Sequence, residues 1–114
     1  MNEVDAASAR ATIRKWNELA QAALGESSEE FRRDRPRTDW VVPMELNVDG
    51  DVLYVRSRDI SGEGLGLTCR AKLDEGKLVQ VRQDPSEPWV PARIVHATQT
   101  IGGHKLGVTL KFEV

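Results

Sequence analysis

The sequence is short of residues suited to chemistry. It has one cysteine, Cys69, which excludes an internal disulfide and points weakly to a reducing compartment. Two histidines, His96 and His104, have no second histidine or cysteine at metal-ligand spacing. Both alternate with apolar neighbours, which predicts partly buried structural histidines. Ser61 lacks a Gly-x-Ser-x-Gly elbow and a neighbouring base. Cys69 reads as packing, and the carboxylates scatter through turns, where solvation or turn formation accounts for them. No catalytic residue, no metal site and no cofactor is expected. Aromatics make up 5% of the chain, and Trp40, Tyr54 and Trp89 are the only clear stacking candidates for single-stranded nucleic acid. No apolar run approaches the roughly 18–20 residues that cross a bilayer, and the acidic, alanine-rich start is not a signal peptide. A cytoplasmic protein without membrane insertion is expected.

What is present is one ordinary domain with an appendage. The 114 residues are 39% hydrophobic and 30% charged, a composition that suits a folded soluble chain. The net charge of −2 hides an uneven spread. Residues 1–30 sum to −3, residues 31–37 to +3, and the remainder to −2. The positive cluster is Phe31-Arg32-Arg33-Asp34-Arg35-Pro36-Arg37, with four arginines in seven residues. A general nucleic-acid binder carries a broad basic face, whereas charge held in one place suits a small anion. Guanidinium is a planar fork of donors that fits phosphate or a guanine edge and stacks on rings. On charge alone the stretch reads as a solvated linker or as an anion-binding arm.

The period of the pattern changes at this arm. Residues 5–24 predict a helix, with Asp5 or Ser8 as cap, Gly25 as terminator, and a stripe of Ile13, Trp16, Ala20, Ala23 and Leu24. That stripe must bury itself on its own domain, on a second copy, or on another protein. Residues 26–30 form a polar linker. From Asp39 onward alternation takes over: Trp40, Val42, Met44, Leu46 and Val48 share a face, and Asp49-Gly50 supplies a hairpin turn. Further strands are predicted over residues 51–58, 65–69, 78–82 and 89–98, and from His104 to the end. Val90, Ala92, Ile94 and His96 are expected on one face, as are His104, Leu106, Val108, Leu110 and Phe112. Between the second and third strands, Asp59-Ile60-Ser61-Gly62-Glu63-Gly64 reads as a turn. It is either an Asx or Ser/Thr turn, or a site where Asp59 and Ser61 meet a base edge and a glycine admits a ligand to the backbone. Six short strands at this spacing predict a mainly β fold, an antiparallel barrel or sandwich. The domain division expected is residues 1–29 for helix and linker and residues 30–114 for the β domain.

The ordered pair of motifs, Arg33-Asp34-Arg35-Pro36-Arg37 and Asp59-Ile60-Ser61-Gly62-Glu63-Gly64, resembles the PilZ domain, a bacterial receptor for cyclic di-GMP. That family carries an RxxxR arm before its first strand and a (D/N)xSxxG turn after its second. The closing stretch from Gly103 to Phe112 is also similar to the family's last barrel strand. The resemblance covers about residues 30–114 and implies a six-stranded antiparallel split barrel. It implies that Arg33 and Arg37 grip guanine edges and phosphates of cyclic di-GMP, with Asp59, Ser61 and Gly64 lining the same nucleotide. Arg32 is associated in the family with holding a stacked pair of ligands; Arg35 falls at an unspecified motif position. A non-enzymatic receptor that signals through a protein partner is implied, with the N-terminal helix as the element that carries the change. The alternative is a nucleotide-independent adaptor of the kind found in pilus or motility machinery. Two departures are expected: the chain ends after the last strand, without the C-terminal helix often found there, and no output module is attached.

Overall fold

The computed structural model describes residues 6–24 and 38–110. The arginine arm, the 26–30 linker, Gly25 and Phe112 lie outside the described residues. A 19-residue helix α1 (Ala6–Leu24) precedes β1 (Thr38–Asp39), β2 (Pro43–Val48), β3 (Asp51–Ser61), β4 (Gly64–Cys69), β5 (Leu78–Arg82), β6 (Val90–Thr100) and β7 (Gly103–Thr109). The strands run β3-β2-β5-β6-β7-β4, and β4 pairs back with β3, so six antiparallel strands close a barrel and β1 is an extra strand on β3. Closure removes the open edges that a sheet would present to other chains.

Alternation explains the inside. Met44, Leu46, Val55, Leu65, Leu67, Cys69, Val81, Ile94, Leu106 and Val108 are buried, while their strand neighbours face out. The turn between β2 and β3 is the predicted Asp49-Gly50 pair, with φ of 55° and 95°. Both residues are left-handed, as a type I′ hairpin requires. Between β1 and β2 the chain leaves the ladder, and Ser57 restitches it. Its hydroxyl accepts from Val42 N at 3.0 Å and donates to Trp40 O, while its own N–H donates to Val42 O at 2.9 Å. A buried hydroxyl with such partners offsets the cost of the interrupted pairing.

Helix α1 covers one end of the barrel. Ala9, Ile13, Trp16 and Ala20 are buried at helical spacing, and Trp16 meets Trp40 with ring centroids 6.2 Å apart. Of the three partners open to the stripe, the chain's own domain is the one used. Ala23, expected in the stripe, is exposed. The helix is fastened by Glu87, a buried carboxylate in the β5–β6 loop. Glu87 accepts from Trp16 Nε1 at 3.2 Å, from Lys15 Nζ at 2.9 Å, and from the backbone N–H groups of Gln83 and Asp84 at 2.9 and 3.2 Å. The sequence pattern had assigned such carboxylates to solvated turns; this one ties two distant elements together.

Two further expectations are corrected. β6 carries a register shift between Ile94 and His96, so the inward alternation of Val90, Ala92 and Ile94 stops there and Ala97 resumes it. His96 is therefore exposed rather than partly buried, and Val95 faces out beside it. Asp59-Ile60-Ser61 is not turn but the end of β3: Ser61 pairs with Gly64, and only Gly62-Glu63 makes the loop.

Candidate functional site

The far end of β3 gathers the second motif. Ile60 points inward and is fully buried, which turns Asp59 and Ser61 to the outer face. On the edge away from β4, Thr38 pairs with Ile60 and Asp39 with Asp59. Thr38 is itself buried, with its hydroxyl accepting from Gln21 Nε2 of α1 at 3.1 Å. The residue after Arg37 is thus held against the backbone between Asp59 and Ser61.

On the other edge the ladder brings four residues into one row, Asp59 opposite Gly66, Gly66 opposite Gly107, and Gly107 opposite His96. Two facing glycines leave a flat floor on the outside of β4 and β7. Register shifts at both ends of the row, beside Asp59 and beside His96, turn the flanking side chains toward it. The result is a depression of about 500 Å³ whose lining includes Arg58, Asp59, Gly64, His96 and Lys105. A larger depression, about 750 Å³, lies around Asn47, Leu78 and Arg93 and contains none of the motif residues.

Arg58 lies across this floor. Its guanidinium donates to Leu67 O at 3.4 Å through Nε and to Leu106 O at 3.3 Å through Nη2, and Nη1 stands 3.7 Å from Asp59 Oδ2. Glycine at 66 lets these side chains lie close: a Cβ there would stand 2.6 Å from Asp59 Oδ1 and 2.8 Å from Arg58 Nη2, and both would have to shift. A Cβ on Gly107 would touch the His96 ring at 3.4 Å, so the imidazole leans over that glycine. Asp59 can accept from a base edge, Arg58 and Lys105 can meet anionic oxygens, and the space over the two glycines is taken up by the Arg58 guanidinium and the His96 ring.

The loop of the motif is held by the helix. Gly62 has φ of 54°. Its N–H donates to Asn17 Oδ1 at 3.0 Å and its carbonyl accepts from Asn17 Nδ2 at 3.0 Å. Asn17 Nδ2 also donates to Ile13 O within α1 at 2.9 Å.

Of the expected site residues, Asp59 and Gly64 share the depression, and Ser61 sits beside them at the end of β3, half-buried. Arg32, Arg33 and Arg37 lie outside the described residues. Arg58, Gly66, Lys105 and Asn17 were not singled out from the sequence, and His96 was read there as structural rather than as part of a site. The available signal was weak: an arginine directly before Asp59, and glycines at alternate positions in two strands. Among the described residues no cluster of His, Cys, Asp or Glu could hold a metal ion. Nor is any described helix long and apolar enough to cross a membrane. Of the three stacking candidates for single-stranded nucleic acid, Trp40 is buried and Trp89 is covered by Arg82, with Cζ 4.1 Å from the ring centroid, which leaves Tyr54 as an exposed ring by itself among the described residues.

No curated protein matches the chain. The family model described as PilZ domain matches residues 31–114, most of its length, over the closed barrel and both motifs, and the chain belongs to the PilZ domain family.

Proposed function

We propose that the protein is a receptor for cyclic di-GMP that works by binding and conformational change rather than by catalysis. The observation that carries this reading is the β1–β3 pairing. Thr38, next after Arg37, sits opposite Ile60, between Asp59 and Ser61, so the arginine arm is covalently joined to the barrel beside the second motif. The ligand offers two phosphates and two guanines. Arg33 and Arg37 supply charge-assisted donors to its phosphates and guanine acceptor edges, and Asp59 accepts from guanine N–H groups. Arg32 supplies a further guanidinium for a second, stacked ligand. Four like charges in the arm repel one another until an anion neutralises them, and pinning the arm to the barrel changes the surface next to α1. That surface is what a protein partner reads.

Calorimetric titration with cyclic di-GMP, using GTP and cyclic di-AMP as controls, tests the proposal. Wild type binds the cyclic di-GMP alone, and Arg33→Ala weakens binding by roughly 10- to 100-fold, the scale of one or two charge-assisted hydrogen bonds. The midpoint of the curve distinguishes one ligand per chain from two. No heat with wild type leaves the nucleotide-independent adaptor in its place, and binding unaffected by Arg33→Ala removes the arm from the site.

A further inference from the structure

Helix α1 does more than cover the barrel end. Most of its contact is apolar, through Ala9, Ile13, Trp16 and Ala20, and one polar side chain reaches the ligand motif. Asn17 engages both hydrogen-bonding groups of a single residue, Gly62, with donor facing acceptor and acceptor facing donor. This is the full backbone hydrogen-bonding complement of one residue at a loop tip. The bond within the helix, from Nδ2 to Ile13 O at 2.9 Å, fixes the rotamer that makes the pair possible. Gly62 lies in the left-handed region, and its neighbours Ser61 and Gly64 close the β3 and β4 ends of the loop. Among the described residues Asn17 supplies the side-chain bonds to Gly62, while Glu63, the other loop residue, is held by its carbonyl accepting from the backbone N–H of Leu110 at 2.6 Å. Without that amide, Gly62 would exchange both bonds for water and the loop tip would sample other conformations about the remaining Leu110–Glu63 bond.

We infer that Asn17 is a positioning residue for the cyclic di-GMP site. It holds the Ser61–Gly64 loop in its binding form, so that docking of α1 and binding of ligand stabilise each other. The inference rests on the receptor reading above. The coupling is reciprocal by linkage: a helix that preorganises the loop is itself held more tightly when ligand is bound. A second bond points the same way. Gln21 Nε2 donates to Thr38 Oγ1, so α1 also touches the residue where the arginine arm leaves β1. The helix therefore bridges the exits of both motifs.

The test uses the full chain. Cyclic di-GMP affinity is measured for wild type, Arg33→Ala, Asn17→Ala and Glu87→Gln, with the melting temperature of each. Glu87→Gln weakens the same helix at its other anchor and leaves the Asn17 contact in place. Asn17→Ala is expected to lower affinity about five- to tenfold, the scale of one to two lost hydrogen bonds. It also speeds amide exchange at Gly62, while Glu87→Gln lowers the melting temperature and keeps affinity within about twofold. Asn17→Ala binding as tightly as wild type, or more tightly, overturns the inference while the receptor reading stands. Affinity that follows melting temperature across both variants overturns it too, because general looseness would then suffice. A wild type that fails to bind removes both readings together.

Discussion

The two ends of β3 carry the same kind of connection and close it by different means. Both hairpins have two-residue loops, with Val48 paired to Asp51 at one end and Ser61 to Gly64 at the other. Asp49-Gly50 is closed from within, because Asn47 Oδ1 accepts from Gly50 N at 2.9 Å and both loop residues take the left-handed conformation the turn demands. Lys77 Nζ also stands 2.8 Å from Asp49 Oδ2, but that ion pair is made by an exposed carboxylate, so the backbone closure of this loop depends little on the rest of the molecule. Gly62-Glu63 is closed from outside, Gly62 by an asparagine 45 residues away on a helix and Glu63 by the backbone N–H of Leu110. A loop whose partner sits on another element shares that element's fate. The second loop is the one that carries the family's ligand motif.

The harshest way to break the contrast is to loosen α1. Trp16→Ala removes a fully buried ring and is expected to cost about 3–5 kcal/mol, a large share of a small domain's stability. Amide exchange should then accelerate at Gly62 well before Gly50. Equal acceleration at both would mean that the loops do not differ in the way described. Trp16→Phe, which drops the N–H donated to Glu87, is the milder form of the same experiment.

Next in size is Gly66→Ala, whose new Cβ meets Asp59 and Arg58 within 3 Å. Those side chains can move only by leaving the floor, so ligand affinity should fall by roughly tenfold or more, the worth of one charge-assisted hydrogen bond. Smaller again is the pair Gly50→Ala and Gly62→Ala. Each forces an alanine into positive φ at a cost of about 1–2 kcal/mol. The melting temperature should drop by about 4–8 °C per kcal/mol in both. Only Gly62→Ala should also weaken the ligand, and a matching loss in Gly50→Ala would erase the distinction.

The smallest effect is on pH dependence. The hydrogen bond and charge of Glu87 hold the Lys15 ammonium above its ordinary value of 10.5, so its share of stability is whole below 10.5 and lost as pH rises through the raised value. Hydrogen bonds from the backbone N–H and hydroxyl of Ser86 hold the Asp84 carboxyl below 3.8, so its share is whole above 3.8 and lost as pH falls through the lowered value. Melting curves should show modest losses at the two extremes. On the alkaline side, Gly62 should exchange faster before Gly50 does, since Lys15 belongs to the helix anchor.

The same contrast separates what was legible in the sequence from what was not. Asp49-Gly50 could be read because the residues that close it also form it. The helix, the alternating strands and the β5 bounds were legible for the same reason, since period and turn chemistry are local. The exposure of His96 was not, because a single extra residue after Ile94 reverses every later side chain and leaves the apolar alternation looking intact. Nor was the role of Glu87, which depends on a helix arriving from another part of the chain. The second motif was visible as residue types, while the row of Asp59, Gly66, Gly107 and His96 exists only once four strands are in register.

Thr38 gives that register a kinetic meaning. It is buried, paired to Ile60 and bonded to α1, so it serves as a fixed post to which the arginines are covalently joined. Five residues span at most about 17–18 Å, so Arg33 can never stray further than that from the β1 ladder, and Arg37 is its immediate neighbour. In the proposed receptor, so short a tether would give the arginines an effective local concentration of millimolar or above beside Asp59. If the protein is the receptor proposed above, a nucleotide that touched the barrel face first would meet its second set of contacts by an intramolecular step, and the site would gain its affinity in residence time rather than encounter rate.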